Sequence, residues 1–469
     1  MVTVNNEDLV KRIARLARQN QELEDQIKKL LKQNEKLSKD YERIKALYEK
    51  VSPAAVKGTG DAEKKEESLK FNMATVLFSE IHGFSGLGAD LDSSAVMDEL
   101  DEIIYEFDRI SAKYKIEKIK TIGDTYMCAG GIPVKNITNP VEVVMAAIEM
   151  KNFLREFEIK KRGESKRIWD LQIGIHTGPV TATVTGKKKI SYDIKGDTVN
   201  TTSRIESVSQ KGSILISVMT YELIKEFFDC EYFGKLPVKY KDDLQMYIVK
   251  GLKPEFSVDG KGLIPNDAFR IKFGLIQFTD IQEIILDKLE KELPAFLFYH
   301  NVKHTVDVVT EVELIGWAEG CSDEDILLLK TAALFHDSGY TVAYDNHEYH
   351  GTLIAREMLP GYGYTTEQIE KICSIIMSTK LPPKPNNLLE EIICDSDLDY
   401  LGRSDFIPVS NTLFEELKAQ DKMKSLNDWN KIQVKFISGH QYFTKTARSL
   451  REVNKQLQIE RIQSLITDQ

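Results

Sequence analysis

The chain has 469 residues, 42% of them hydrophobic and 29% charged, and a formal net charge of −10. That length gives room for two or three domains with cores of their own, and the acidic balance argues against nonspecific binding to nucleic acid or to an anionic membrane. No apolar run approaches the roughly 18–20 residues of a membrane helix, MVTVNNEDLVKR lacks a signal-peptide apolar core, and the five cysteines have no CxxC spacing, so the expectation is a cytoplasmic protein with neither disulfide framework nor zinc ribbon.

Residues 1–52 read as a parallel dimeric coiled coil. Leu9, Ile13, Leu16, Asn20, Leu23 and Ile27 open an alternation of steps of four and three that continues to Val51. Leucine holds most d positions, and Asn6, Asn20 and Asn34 recur at a, where a buried amide is satisfied by the same amide of an in-register partner. After Ser52-Pro53 the helix cannot easily continue, and residues 53–70 read as a charged linker.

Residues 71–254 alternate in type. A buried strand over 74–78 precedes an amphipathic helix with Val96, Leu100, Ile103, Phe107 and Ile110 on one stripe. In KIKTIGDTYMCAGG (118–131), Ile122-Gly123-Asp124 lies between two strand-like runs and reads as a hairpin tip bearing a carboxylate, a natural Mg²⁺ ligand. A helix follows over 141–157, then LQIGIHTGPVTATVTG (171–186), read as two strands joined by a Thr-Gly-Pro turn. In SYDIKGDTVNTTSRIES (191–207), Gly196 breaks a strand and Asp197 is the expected N-cap of a helix over 198–209. Asn200 and Arg204, four apart, share one face of it, suited to a ribose oxygen and to a phosphate gaining charge. His82 and His176 read as packed or surface histidines, and Lys187-Lys188-Lys189 as a solvated hairpin. The pattern suggests an antiparallel α+β sheet with helices on one face.

This segment resembles the class III adenylate/guanylate cyclase catalytic domain, a ferredoxin-like α+β fold that makes cyclic nucleotide from a nucleoside triphosphate. VLFSEIHGFS (76–85) is similar to the first metal-binding strand of that family and KIKTIGDTYM to the second. The resemblance implies Glu80 and Asp124 as the carboxylates for two Mg²⁺ or Mn²⁺ ions, Asn200 and Arg204 as the ribose and transition-state residues, and Lys241 as a triphosphate-binding lysine. Glu80 stands where the family normally has aspartate. Lys120 and Asp193 fall at the purine-reading positions: a donor facing adenine N1 and a carboxylate accepting from the N6 amine suit ATP and mismatch guanine. The family also implies a homodimer with shared sites.

Residues 255–275 read as a second linker and residues 276–445 as an all-α domain, with a further helix over 446–469. Five of the eight histidines fall between His300 and His350. His300 and His304 lie one turn apart in FYHNVKHTVDVV, His336-Asp337 ends a helix opened by Ser322/Asp325, and IICDSDLDYLG supplies Asp395 and Asp397. This part resembles the HD superfamily of metal-dependent phosphohydrolases. The resemblance assigns His304, His336, Asp337 and Asp395 to one transition metal (Zn²⁺, Mn²⁺ or Fe²⁺), and His300 to protonation of a leaving oxygen. His347 looks like an extra histidine of two-metal relatives, but Lys380 replaces another, so a mononuclear site with His350 as bystander is expected.

The combined reading is an adenylate cyclase of ATP that dimerises through its coiled coil and cyclase surfaces, with an HD domain acting on a phosphate ester. Two rivals stay open at this point: a degenerate cyclase serving as ATP sensor for the HD domain, and a nucleotide-responsive scaffold.

Overall fold

The computed structural model describes residues 68–83, 93–161, 169–185, 191–237 and 243–467. The heptad segment, Lys241 and the Lys187–Lys189 run lie outside them.

The first domain is built on a mixed sheet of eight strands in the order β2-β3-β1-β4-β6-β8-β7, with β5 added against β4. Its strands are β1 (Ser68–His82), β2 (Glu117–Ile122), β3 (Thr125–Gly130), β4 (Asp170–Thr185), β5 (Ser191–Lys195), β6 (Ile214–Ser217), β7 (Phe228–Leu236) and β8 (Leu244–Leu252). Its helices are α1 (Ser93–Lys113), α2 (Asn139–Lys161), α3 (Asp197–Val208) and α4 (Val218–Ile224). The sheet departs from the antiparallel expectation at one place, since β4 and β6 run parallel. A parallel pair needs a crossover, and the β5–α3 segment supplies it.

Strand alternation sorts the two faces. Leu77 and Ile81 of β1 join Leu100, Ile103 and Phe107 of α1 and Val144 of α2 in the main core. Ala74 and Val76 point the other way, into a smaller cluster with Met127, Val180 and Ile194 against which Val199 of α3 packs. Helices were expected on one face only; α3 instead lies across the second face, because Val199 and Ile205 bury against Val180, Leu215 and Met246 there.

The Thr-Gly-Pro turn expected within residues 171–186 is absent: β4 runs unbroken through Thr177-Gly178-Pro179. Pro179 has no N–H to donate, and it sits opposite the register shift of β1 between Phe71 and Ala74, where a ladder bond is not required. Asp197 is likewise not the cap. Gly196 holds the N-cap position, and Asp197 is the first helical residue.

The second domain is helical: α5 (Asp267–Glu292), α6 (Val302–Ala318), α7 (Asp323–Phe335), α8 (His347–Met358), α9 (Thr366–Ser378), α10 (Leu388–Asp397), α11 (Phe406–Ala419), α12 (Leu426–Gly439) and α13 (Lys445–Leu465). Helix α7 is its centre, with Leu329, Ala332, Ala333 and Phe335 fully buried, and the expected capping pair Ser322/Asp325 starts it.

Residues 267–275, expected within a linker, form the first turns of α5. Its Phe269 belongs to the core of the first domain and its Phe278, Ile281 and Ile285 to that of the second. The joint is also polar. Asp280 accepts from Ile137 N at 2.8 Å and from Thr138 Oγ1 at 3.0 Å, just before α2. Beside it Glu142, 8% exposed, has its pKa pushed up to about 7, chiefly by burial, with Asp280 adding to the rise and Lys115 and Asn136 opposing it. A carboxyl with a raised folded pKa stabilises fully below its ordinary range and loses that contribution as pH climbs through about 7. Glu142→Gln should therefore raise the thermal midpoint at pH 8 and leave it nearly unchanged at pH 5. Equal shifts at both pH values in a melting series would contradict this account.

Candidate active sites in the two domains

On the second face of the sheet, β1 carries Glu80 next to the β2–β3 hairpin. Register pairs Glu80 with Thr125, and Ile81 N donates to Asp124 O at 3.0 Å, so the tip residue Asp124 lies against the end of β1. Gly123 takes φ 61 in that two-residue turn, a conformation costly for residues with a Cβ. The structure thus brings Glu80 and Asp124 together. It adds a third carboxylate that sequence reasoning passed over, Glu206 of α3, which is 7% exposed. Its pKa is pushed up to about 7 by burial and then by the neighbouring Glu80 and Asp124, and its Oε1 is buried without a hydrogen-bond partner. His82 Nδ1 lies 3.7 Å from Glu80 Oε1. Carboxylates brought by β1 and the hairpin tip to one end of the sheet are, as a donor type, suited to a hard divalent cation such as Mg²⁺ or Mn²⁺.

Lys120 of β2 and Asp193 of β5 meet at 2.8 Å, Nζ to Oδ1, both about two-fifths exposed (43% and 35%). Their sequence separation of 73 residues is closed by a direct contact between β2 and β5, although β3, β1 and β4 stand between those strands in the sheet order. Asn200 and Arg204 are exposed on α3, and the Arg204 guanidinium donates to Pro237 O after β7. Arg204 and Glu206 are two residues apart, so on a helix they point about 200° from each other. Within one chain, therefore, Asn200 and Arg204 face away from the carboxylate group.

In the helical domain His304 (α6), His336 and Asp337 (the end of α7) converge, with ligand-type atoms within 4.8 Å of one another. His336 Nδ1 bonds Ala333 O at 2.7 Å, which turns Nε2 toward Asp337 Oδ2 at 3.2 Å. The two imidazole Nε2 atoms stand 3.4 Å apart, and Asp337 Oδ2 is buried without a hydrogen-bond partner. Burial opposes the charge on Asp337, yet the surrounding His336, His300 and His304 hold its pKa well below the usual carboxylate range. This imidazole–carboxylate set fits a transition-metal ion.

The distant aspartate of the site is Asp397, whose Oδ1 lies 3.1 Å from His304 Nε2 and 3.6 Å from His336 Nε2. Asp395, expected there, points elsewhere. Its two oxygens accept from Phe443 N (2.9 Å), Thr444 N (2.8 Å) and Thr444 Oγ1 (2.8 Å) at the start of α13. Two positions apart at the end of α10, the two side chains face opposite ways, and the cap of α13 claims the first. His347 Nε2 lies 3.6 Å from Asp337 Oδ1. Lys380 bonds Asn346 Oδ1 at 3.2 Å, and His350 makes a ring contact with Tyr349.

His300 borders this group, and a residue not foreseen controls it. Glu416 of α11, fully buried, takes His300 Nδ1 on Oε1 at 2.6 Å and the amides of Tyr299 and His300 on Oε2. Burial works against a charged His300, but Glu416 and Asp337 outweigh it and raise its pKa. A cavity of about 300 Å³ opens beside His304 and Asp397, lined also by Tyr299, Glu311, Asp399 and Arg403.

A family model described as the adenylate and guanylate cyclase catalytic domain matches residues 66–251, and one described as the HD domain matches residues 301–400. Curated relatives include the receptor-type guanylate cyclase gcy-8 of Caenorhabditis elegans, 34% identical over 215 residues, 45% of this chain and 18% of that protein. The membrane guanylyl cyclase of Dictyostelium discoideum is 35% identical over 181 residues, 38% of this chain and 12% of that one. The chain thus spans less than a fifth of the length of these curated relatives. Among solved structures, the adenylyl cyclase CyaB of P. aeruginosa is 32% identical, with 39% of this chain and 95% of that one covered and a TM-score of 0.36.

The geometry separates the two aspartates of α10. Metal analysis of the purified chain should find transition metal lost in Asp397→Ala and kept in Asp395→Ala. The latter should instead lose stability, on the order of 2–4 kcal/mol, since amides at the cap of α13 are left unpaired in a buried place. Metal loss confined to Asp395→Ala would reverse the assignment.

Proposed function

For a chain that belongs to the adenylate and guanylate cyclase family over residues 66–251 and to the HD family over residues 301–400, we propose an adenylate cyclase that makes 3′,5′-cyclic AMP and pyrophosphate from ATP, joined to a metal-dependent phosphohydrolase. The Lys120–Asp193 pair carries the base assignment. An ammonium and a carboxylate held side by side present one donor and one acceptor, the complement of adenine N1 and its N6 amine. Guanine would set its O6 acceptor against the Asp193 carboxylate and its N1–H against Lys120, leaving both pairs mismatched.

Divalent ions at Glu80 and Asp124 would supply neutralisation of the triphosphate and acidify the ribose 3′-hydroxyl. Asn200 orients the ribose, and Arg204 meets the charge that builds on the phosphate as the 3′-oxygen attacks in line. Those two residues face away from the carboxylates of their own chain, which supports a homodimer in which each site takes Glu80 and Asp124 from one copy and Asn200, Arg204, Lys120 and Asp193 from the other. A parallel coiled coil over residues 1–52 would raise the effective concentration of one domain for its partner. Lys241 is proposed as a triphosphate contact on the family resemblance alone.

In the HD domain, His304, His336, Asp337 and Asp397 are proposed to hold one metal ion, which would supply Lewis acidity toward a phosphate ester. Glu416 fixes His300 Nδ1, leaving Nε2 to pass a proton to the leaving oxygen. Cyclic AMP is the first substrate to test, because synthesis and removal in one chain would set a local steady state.

Product analysis with ATP and GTP should give at least a tenfold preference for ATP, from mispaired groups worth on the order of 1–3 kcal/mol each. Equal turnover of GTP would remove the base assignment. Glu80→Ala and Arg204→Ala homodimers should each be nearly inactive, whereas a subunit-exchanged mixture should regain activity, one of its two composite sites being intact. Verified exchange without recovery would argue for sites within single chains.

A further inference from the structure

One face of α6 lines the cavity beside the helical centre, where His304, Asp307, Val308 and Glu311 follow one another at i, i+3, i+4 and i+7. Further walls come from the end of α10, the 3₁₀ turn Asp399–Gly402 and the first turns of α11. Next to the metal group the surface is aromatic. The Tyr299 ring stands 4.7 Å from that of His304 and 5.3 Å from that of Tyr400, centroid to centroid. Phe298 lines the cavity too and is 46% exposed, open to a ligand, while Val308, Pro408 and Val409 extend the apolar part. The volume, about 300 Å³, is that of a site for a small organic group.

The charged groups of this cavity are committed to one another. Among the described residues, Lys303 and Arg403 are the lysine and arginine that line it. Lys303 Nζ donates to Asp307 Oδ2 at 2.6 Å, and Arg403 donates from Nη1 to the same oxygen at 3.0 Å and from Nε to Asp405 Oδ1 at 2.8 Å. Glu311 and Asp399 share Arg451 of α13, and each keeps a second, buried oxygen without a hydrogen-bond partner. Five carboxyl groups, counting Asp397 of the metal group, thus stand against two cations that are already paired. A second phosphate on a ligand would enter without a free counter-charge, whereas an uncharged ring would gain from the aromatic wall. We propose that the HD centre acts on esters carrying a single phosphate on a small, uncharged, ring-bearing alcohol. This cavity holds the ring, and Asp307 and Asp405, by occupying Arg403, exclude alcohols that bear a second anionic group. The inference rests on the phosphohydrolase reading. In that reaction a water oxygen bonds to phosphorus and the ester P–O bond breaks. The departing oxygen takes the proton of His300 Nε2, and the surplus proton of the water passes to solvent.

Full-length protein loaded with Mn²⁺ is offered 5′-AMP, 3′,5′-cyclic AMP, glycerol 3-phosphate and adenosine 3′,5′-bisphosphate, and the products are separated by chromatography. The better of the two adenosine monophosphates should exceed both the bisphosphate and glycerol 3-phosphate by roughly tenfold or more in kcat/KM. Asp405→Asn, which releases one arm of Arg403, should narrow the gap to the bisphosphate by roughly threefold or more. Phe298→Ala should raise KM for the adenosine esters more than it lowers kcat. A readout without turnover comes from calorimetric titration of the metal-free chain with adenosine. The binding heat lost in Phe298→Ala belongs to this cavity, because the cyclase residues are unaltered. Equal use of the bisphosphate or of glycerol 3-phosphate, or adenosine binding unchanged in Phe298→Ala, would overturn the inference and leave the phosphohydrolase reading standing. If Mn²⁺ is bound and none of the four esters is cleaved, the phosphohydrolase reading falls and takes the inference with it.

Discussion

Carboxylates drawn close to one another set the terms for both centres. Glu80, Asp124 and Glu206 crowd one face of the sheet, and Asp337 and Asp397 crowd the end of two helices. Collecting like charges at low exposure opposes folding by several kcal/mol unless cations repay it. The two domains answer differently. The helical domain supplies three imidazoles that partly neutralise its aspartates within the chain. Among the described residues, the sheet domain sets His82 beside Glu80. The first arrangement suits a borderline metal bound by nitrogen and oxygen, and the second a hard ion that arrives with a phosphate ligand.

What surrounds each centre follows from holding those charges still. Around His336 the Nδ1 bond to Ala333 O fixes the ring, and around His300 the fully buried Glu416 does the same work on three donors at once. On the sheet, the two-residue turn at Gly123 and the Gly174 contact bring a hairpin and a helix to the end of one strand. Three of these devices use backbone geometry near the charged group, and the fourth uses the buried Glu416 carboxylate. Catalytic groups gain most when they need not reorganise as charge develops.

Much of this was legible because it is local. The i, i+4 spacing of Asn200 and Arg204, the hairpin tip at Asp124 and the capping pair Ser322/Asp325 depend on neighbours in the chain, and each lies where local rules put it. The misses at the sites need distant partners. Asp395 and Asp397 cannot be told apart until α13 is in place to claim one of them. Thr-Gly-Pro reads as a turn until β1 offers a register shift opposite Pro179. Glu416 lies 116 residues from His300 and carries no local signal. Glu206 did lie in the quoted SRIES run, and its two-residue offset from Arg204 could have marked it as facing the other way.

Helix α5 gives the chain a property of a different kind. Its first turns stack Phe269 on Phe273 at 5.6 Å within one core, and its last turns fill another. Recombination that joined or parted these domains inside residues 267–292 would strand an apolar surface on each product. Lineages that shuffle the sheet domain with other domains are thus expected to cut before Asn266, the cap of the helix, or to carry the helix along. The junction makes the pair heritable as one piece.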